Sequence, residues 1–411
     1  MPSASSIDAR REQRWRWALG AALLWRLLFP FFDSPLSHLF SDPARHWSNA
    51  AHFLDPELIG AGDPYLYQVW LYLVRNVSGD DPPAVMLSCG FLCALMPYGW
   101  YRALRELLPR RPALAGALVI ALTPDLFGIY AYFMNETLFL TLSGFAFWCT
   151  FRAWRKGGLA AWTVASSVWV CLIFTRTIAV PMAAVSLFVV WVAQPQRFEK
   201  ALIGAAVFCA VAIPAGLHGY AKLGYFAPLG NLHITEIYLV SGKKDIELNI
   251  GPAGRYVFGS PSFYNPTFYP FSPWLTDREG TVSVTIDLHH GSADWVAETL
   301  RAARESTFSR WQQAWENVLY AVFGQSWPDN DMNSWSGRLA VWTRWIWPPM
   351  MLYVAWGVWR RRFHGRAWLL PALSLGMLFY LMVQHSGIVE GRYVKPLHPI
   401  LLAAALVLYL G

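Results

Sequence analysis

Charged residues are scarce in this chain of 411 residues. Asp, Glu, Lys and Arg make up 14% of the sequence, whereas 55% is hydrophobic and 23 residues are Trp. Ordinary soluble enzymes carry more charge and fewer aromatic side chains. The composition therefore predicts an all-α polytopic membrane protein.

Cysteine is scarce as well, and its placement excludes a disulfide framework. All five cysteines lie inside apolar runs and show no metal-ligand spacing: Cys89, Cys93, Cys149, Cys171 and Cys209. The net charge of +7 comes from short Lys and Arg clusters between hydrophobic runs, so no nucleic-acid face is indicated. No small-residue cleavage site follows the first apolar run, and we expect an uncleaved first helix.

Long hydrophobic runs are abundant. A bilayer core of about 30 Å needs roughly 20 residues of helix, so the runs 113–151 and 159–193 must each fold back as a hairpin. We therefore expect about ten spanning helices, at 15–33, 84–104, 113–131, 133–151, 159–174, 178–193, 200–217, 338–359, 367–384 and 394–410.

Basic residues cluster in alternate loops, which the positive-inside rule assigns to the cytoplasm. These clusters lie at 10–16, 105–111, 152–156, 197–200 and 360–366. The remaining loops then face outward: 34–83, the hairpin tips near 132 and 176, 218–337 and 385–393. The pattern predicts a multi-pass protein of the plasma (inner) membrane of a bacterium, with its working face in the periplasm.

Three regions follow from this division. Residues 1–217 form an N-terminal transmembrane module whose first outer loop, 34–83, has interfacial helices at 43–54 and 64–76. Residues 218–337 form a small mixed extracytoplasmic region with a strand in "TVSVTIDL" and an amphipathic helix at 293–322. Residues 338–411 supply the last helices.

Ionisable residues of the outward side come from separate segments of the chain. They are Asp42, Arg45 and His46 after the first helix, Asp125 and Glu136 at the first hairpin tip, Arg176 at the second, and Glu390, Arg392 and Lys395 in the last outer turn. At this depth such groups face protein or a water-filled cavity. We expect them to meet in one site.

Five short motifs follow one another along the chain, all on the side predicted to face outward: "FSDPARHW", "GDPYLYQ", "NETLFL", "FTRTIA" and "GRYVKPLHP". Together they resemble the GT-C superfamily of membrane glycosyltransferases, closest in character to protein O-mannosyltransferases and aminoarabinose transferases. The resemblance covers most of the membrane part and little of 220–292. It implies an outer-loop acid, a polyprenyl-phosphate-sugar donor, and a lipid, glycan or protein acceptor. "SDPA" has one acid where many relatives show two, which leaves a metal requirement open.

The residue types suit that chemistry. A hydroxyl is a poor nucleophile, so a carboxylate must take its proton. Asp42 and Glu136 are the candidate catalytic carboxylates. Cations would stabilise the leaving lipid phosphate, and Arg176, Arg392 and Lys395 are candidates. Arg45, His46 and Tyr393 are candidate substrate-binding residues. No cofactor is indicated, and a divalent ion could share the phosphate role although no metal-ligand spacing is present.

Each assignment has a structural alternative. Asp42 precedes Pro43 and could be the N-cap of a helix that starts at 43, and Glu136 could cap the next helix. Arg176 could reach only to outer headgroups. His46 and His52 are six residues apart and do not share a helical face for joint metal binding.

Two other functional classes stay open. A transporter or flippase would show internal repeats and charges near mid-helix; here Arg26 and Pro214 are the main mid-span irregularities, and the other charges gather at one face, which favours an enzyme. A ligase that moves a lipid-linked glycan would share the basic site and need no acid.

Replacing Asp42 by Asn separates these classes. A transferase that uses the Asp42 carboxylate as its base should lose nearly all activity, because an amide cannot accept the proton. A ligase that works through Arg and His should keep its rate. Sugar transfer in purified membranes is the measurement, and a fully active Asp42→Asn variant contradicts the assignment.

Overall fold

The computed structural model describes residues 4–56, 62–229, 335–384 and 394–411, together with Ala314, which is helical, and three strands. The helices with described bounds are α1 (Ala4–Phe32), α2 (Ser41–Ala51), α3 (Tyr65–Ser78), α4 (Pro82–Leu104), α5 (Arg110–Leu122), α6 (Asn135–Lys156), α7 (Leu159–Thr175), α8 (Ala179–Ala193), α9 (Arg197–Leu223), α10 (Trp335–Thr343), α11 (Trp347–Trp359), α12 (Leu369–Gln384) and α13 (His398–Leu410).

Helices occupy all ten predicted hydrophobic segments, and α2 and α3 confirm the helices predicted in the first outer loop. Two boundaries differ from the prediction. α5 ends at Leu122 because Pro124 follows and the chain continues in short 3-10 turns. The segment predicted at 338–359 is two helices, separated by a 3-10 turn at Arg344–Ile346 and restarted by the prolines of "WPPM".

Two of the described helices, α4 and α9, are long and apolar enough to cross a membrane by length and composition. Four shorter apolar segments also occur: Leu159–Thr175, Ala179–Ala193, Gly365–Leu381 and Lys395–Leu410. With 13 residues, α13 is about 20 Å long, short of a core of roughly 30 Å. Two of the described helices therefore meet the length and composition expected of a membrane span, whereas the sequence predicts about ten spans.

The centre of the bundle is the pair α4 and α6. Gly144 lets the backbones of α4 and α6 approach each other closely, because a Cβ at this position would lie 2.5 Å from the backbone nitrogen of Trp100. α1 packs on α4 and α5, α7 packs on α6 and α9, and α13 packs on α11 and α12. Large rings fill the interior next to this contact, with Phe147 packed against Trp100 and Trp169.

The ends of the bundle differ in their side chains. At one end, which we name the basic end, Arg110 pairs with Glu12 at 3.1 Å, and Glu106 pairs with Arg155 at 3.1 Å and with Arg366 at 3.7 Å. These residues belong to loops predicted to share a side, and they lie together. The opposite end, the site end, carries α2, α3 and the connection between α5 and α6.

Arg26, a mid-span irregularity of the sequence, is fully buried and closes the end of α5. Its guanidinium donates to the carbonyl oxygens of Ile120 (3.3 Å), Ala121 (3.2 Å) and Leu126 (2.6 Å). The last carbonyls of a helix have no partner within the helix and attract a cation. Arg26 thus fixes the end of α5 from within the bundle.

A buried ion pair joins the C-terminal helices to the first half of the chain. Lys395 Nζ lies 3.0 Å from Asp125 Oδ1, and both side chains are 0% exposed. His398 Nδ1 lies 2.6 Å from the other carboxylate oxygen, and the His398 ring stacks on Trp347 at 4.1 Å. These contacts hold the start of α13 against the turn after α5.

Three strands form an antiparallel sheet with the order β2-β1-β3. They are β1 (Asp245–Gly251), β2 (Arg255–Tyr256) and β3 (Val282–Asp287), and Ile246 of β1 is opposite Ile286 of β3. β3 confirms the strand predicted in "TVSVTIDL", whereas β1 and β2 were not predicted. The helix predicted at 293–322 lies outside the described residues, apart from Ala314.

The Asp125–Lys395 pair should dominate the stability of the C-terminal attachment. Replacing Lys395 by Met leaves a buried carboxylate short of its cation and should lower the free energy of unfolding by roughly 3–5 kcal/mol. Replacing Asp125 by Leu as well should restore part of the loss. Thermal unfolding in detergent measures both effects.

The control is Arg110→Gln, which removes a half-exposed partner of Glu12 and should leave the unfolding temperature nearly unchanged. A Lys395→Met protein that unfolds at the wild-type temperature contradicts the importance of the buried pair.

Candidate functional site

Asp63 is the centre of a polar network between α2 and α3. Its carboxylate accepts hydrogen bonds from Asn49 Nδ2 at 2.8 Å, Gln68 Nε2 at 3.1 Å and Arg45 Nε at 3.2 Å. His46 Nδ1 also lies 3.2 Å from it, and both side chains are 4% exposed. One buried acid therefore joins one face of α2 to the first turn of α3.

The surroundings of Asp63 keep its carboxylate charged. Burial by itself would raise the pKa of Asp63, but His46, Arg45 and the Asn49 hydrogen bond outweigh it and hold the pKa well below its usual range. A carboxylate with so low a pKa is a poor proton acceptor at neutral pH. Asp63 is thus suited to hold the loop in place.

Asp42 lies at the rim of this network. It occupies the first turn of α2, its side chain is 21% exposed, and it accepts a hydrogen bond from Arg45 Nη1 at 2.5 Å. The alternative role of Asp42 as the N-cap is wrong, because α2 begins at Ser41 and Phe40 is the N-cap residue. Arg45 therefore bridges the acids Asp42 and Asp63.

Aromatic packing fixes α2 against the rest of the site end. Trp47 stacks on Phe133 with ring centroids 4.4 Å apart. Arg75 of α3 lies 4.6 Å from the Trp47 ring centroid and donates to the Trp47 carbonyl oxygen at 2.8 Å. α2 is thereby held between α3 and the segment that leads into α6.

Glu136 and Arg176 join the two hairpin tips. Glu136 is 1% exposed and accepts a hydrogen bond from Arg176 Nη1, whose side chain is 12% exposed. The predicted capping role of Glu136 is wrong, since α6 starts at Asn135 and Met134 is its N-cap residue. The expectation that the two tips meet is confirmed.

A cavity of about 290 Å³ lies beside these residues. Four separate segments line it: Gly62, Pro64 and Tyr65 next to Asp63; Asn135 next to Glu136; Ile173, Phe174, Arg176 and Thr177 at the end of α7; and Pro228 and Leu229 after α9. Its wall contains a guanidinium, an amide and two hydroxyl side chains beside apolar surface. Such a mixture suits a polar head attached to an apolar tail.

The other predicted site residues lie elsewhere. Lys395 is fully buried against Asp125, and its role as a ligand of the donor phosphate stays a prediction. His46 is buried on Asp63. Arg392 and Tyr393 lie outside the described residues. Among the described residues, no group of three or more His, Cys, Asp or Glu could hold a metal ion, and a divalent ion stays a prediction.

Sequence reasoning did not select Asp63 as a site residue. The signal was present in "GDPYLYQ", where the acid precedes a proline and a run of aromatic residues. What the sequence could not give is the set of partners, because Asn49, Gln68 and His46 are ordinary polar residues of amphipathic helices.

The family described as dolichyl-phosphate-mannose-protein mannosyltransferase matches residues 63–218 of this chain. That family consists of integral membrane glycosyltransferases of the GT-C type, which supports the glycosyltransferase class expected from the motifs. The matched range includes Asp63, Asp125, Glu136 and Arg176, and it excludes Asp42 and Lys395. No curated protein matches the chain.

The Asp63 network makes a pH-dependent prediction. Because folding lowers the pKa of Asp63, its charge stabilises the folded protein fully above the unfolded value of about 3.9, and this stabilisation is lost as the pH falls towards the lower folded pKa. Asp63→Asn should therefore unfold at a lower temperature than the wild type at pH 7, and the difference should shrink below about pH 4. Thermal unfolding at both pH values is the measurement.

Asp80→Asn is the matched control, since Asp80 is 51% exposed and pairs with Arg75 at the end of the same loop. It should change the unfolding temperature little at either pH. A constant difference between wild type and Asp63→Asn from pH 7 to pH 3 would refute the proposed charge effect.

Proposed function

We propose that this chain is a membrane glycosyltransferase that moves one sugar from a polyprenyl-phosphate donor to a hydroxyl of a lipid, glycan or protein acceptor. The observation that carries the proposal is the cavity at the site end, whose wall combines Arg176 with three other separate segments. The family match at 63–218 covers the residues that hold most of this wall.

Arg176 is the proposed ligand of the donor phosphate. As the bond between the anomeric carbon and the phosphate oxygen breaks, negative charge grows on the phosphate, and a fixed guanidinium stabilises it. Buried Glu136 holds that guanidinium at the cavity wall and so acts as a positioning residue. Ile173, Phe174 and Leu229 supply apolar surface for the first part of the prenyl chain.

Asp42 remains the proposed base. The acceptor oxygen attacks the anomeric carbon, its proton passes to the Asp42 carboxylate, and the prenyl phosphate leaves with the electron pair of the broken bond. Asp42 is partly exposed, whereas Asp63 is buried among four partners and has a lowered pKa. Arg45 and Asp63 then fix the orientation of Asp42, while His46 supports Asp63.

The proposal places the site end on the periplasmic side of an inner membrane that the chain crosses about ten times. Its support is the distribution of charge: the predicted cytoplasmic clusters meet at the basic end, and the candidate acids lie at the other end. Arg392 and Tyr393 are proposed to complete the donor site from the last outer turn. The gathering of the candidate acids with Arg176 at the site end favours an enzyme over a transporter.

Substitutions of Arg176 test the proposal. Arg176→Gln should lower kcat by about 100-fold, because one donor to the developing charge is removed, and Arg176→Lys should lose less because it keeps a point charge. The assay is release of labelled sugar from polyprenyl-phosphate mannose, glucose and aminoarabinose, each supplied separately to the full-length protein in native membranes.

Arg197→Gln is the control, since this exposed arginine begins α9 at the basic end, and it should keep the wild-type rate. An Arg176→Gln variant with unchanged kcat contradicts the site, and a wild-type protein that consumes none of the three donors contradicts the class of reaction.

A further inference from the structure

Two arginines converge on one tryptophan towards the basic end of the bundle. Arg102 of α4 lies with its guanidinium carbon 4.2 Å from the ring centroid of Trp148, and Arg152 of α6 lies 5.8 Å from the same ring. Arg102 Nη1 also donates to Tyr98 Oη at 3.0 Å. All four side chains are half-buried.

Close packing of α4 on α6 creates this arrangement. Gly99 has no side chain where Phe145 lies, and a Cβ there would be 2.9 Å from Phe145 Cδ2. Arg102 follows Gly99 by three residues and Trp148 follows Phe145 by three, so each lies about one turn nearer the basic end. The glycine contact therefore brings side chains of the two helices together on one outer groove.

Arg102 and Arg152 differ from the neighbouring arginines in their ion pairing. Arg110, Arg155 and Arg366 each have a carboxylate within 4 Å, from Glu12 or Glu106. In the part of the chain that the structure describes, neither Arg102 nor Arg152 is paired with a carboxylate. Two guanidinium groups near one ring repel each other, and contact with the ring offsets only part of that cost.

We propose that Arg102 and Arg152 bind the phosphate of an anionic phospholipid headgroup, with Trp148 and Tyr98 beside it. Guanidinium groups form paired hydrogen bonds with phosphate oxygens, and Trp and Tyr are typical of the headgroup level of a bilayer. Further along α4, Leu87 is 51% exposed and Phe91 is 57% exposed, which provides apolar surface for acyl chains. The inference requires that the bundle lies in a bilayer and does not depend on the transferase reaction.

Lipid retention measured by native mass spectrometry tests the site. The full-length protein is purified in detergent and titrated with phosphatidylglycerol, with phosphatidylcholine, and with inorganic phosphate as a competitor. We expect phosphatidylglycerol to bind, phosphatidylcholine to bind more weakly, and millimolar phosphate to displace little lipid. Each arginine near the membrane surface contributes about fivefold in affinity, so Arg102→Gln with Arg152→Gln should weaken phosphatidylglycerol binding about 25-fold.

Two further proteins complete the test. Arg360→Gln removes an exposed arginine that lies over Trp359 at 4.8 Å, and it should bind phosphatidylglycerol like the wild type. The double Lys variant keeps both charges but loses the paired hydrogen bonds of the guanidinium groups, so it should bind phosphatidylglycerol more weakly than the wild type and more tightly than the double Gln variant. Wild-type unfolding temperatures of both variants in detergent would show that the losses do not come from misfolding. Equal binding of both lipids, full displacement by inorganic phosphate, or unchanged binding in the double Gln variant would each overturn the proposal.

Discussion

The site end depends on one constraint: a carboxylate withdrawn from water into an apolar bundle must be met by cations or hydrogen-bond donors. Asp63, Asp125 and Glu136 satisfy this constraint with partners from other segments of the chain. Lys395 is 270 positions away from Asp125, and Arg176 is 40 positions away from Glu136. The buried acids therefore determine which loops meet at this end, and the cavity lies between the loops that they hold.

The acids differ in what their surroundings allow them to do. A carboxylate stabilised by several donors is a strong anchor and a weak base, because the interactions that hold its charge also lower its affinity for a proton. Asp63 has that character. Asp42 accepts a hydrogen bond from Arg45 and is partly open to solvent. In the proposed function, anchoring and proton transfer therefore fall to different acids of one loop.

The sequence predicted the position of the helices well because their signal is local. Apolar runs of membrane length and prolines at their ends gave helices in all ten segments, and the polar tips at Glu136 and Arg176 were expected on one side. Of the described helices, α4 and α9 meet the length and composition expected of a span, because several of the others are shorter than the bilayer core or carry charge within their length. The short 3-10 turns after α5 depend on Arg26, whose contacts are tertiary.

Side-chain roles were harder to predict because partners distant in the chain decide them. "SDPA" and "GDPY" both place an acid before a proline in the first outer loop, and nothing local indicates that Asp63 is buried while Asp42 lies at the rim. Lys395 was expected to face an anionic ligand, since its neighbours in "GRYVKPLHP" give no hint of Asp125. A single sequence does not contain that pairing, which only the packing of α13 against the α5–α6 connection creates.

Arginine shows most clearly how partners decide function. Arg26 has its charge satisfied by carbonyl oxygens deep in the bundle, and Arg155 and Arg366 have theirs satisfied by Glu106. Arg176 is held by one buried acid and still borders a cavity, so its field acts on whatever enters. Arg102 and Arg152 share an aromatic ring, and no carboxylate within the described ranges pairs with either of them. Because a guanidinium stays charged at any physiological pH, its ability to bind an anion depends on how far the fold has already neutralised it. Arg176 in its cavity and the pair Arg102 and Arg152 on the outer surface lie towards opposite ends of the bundle. Both sites keep enough unneutralised positive charge to suit the phosphate groups that we propose for them.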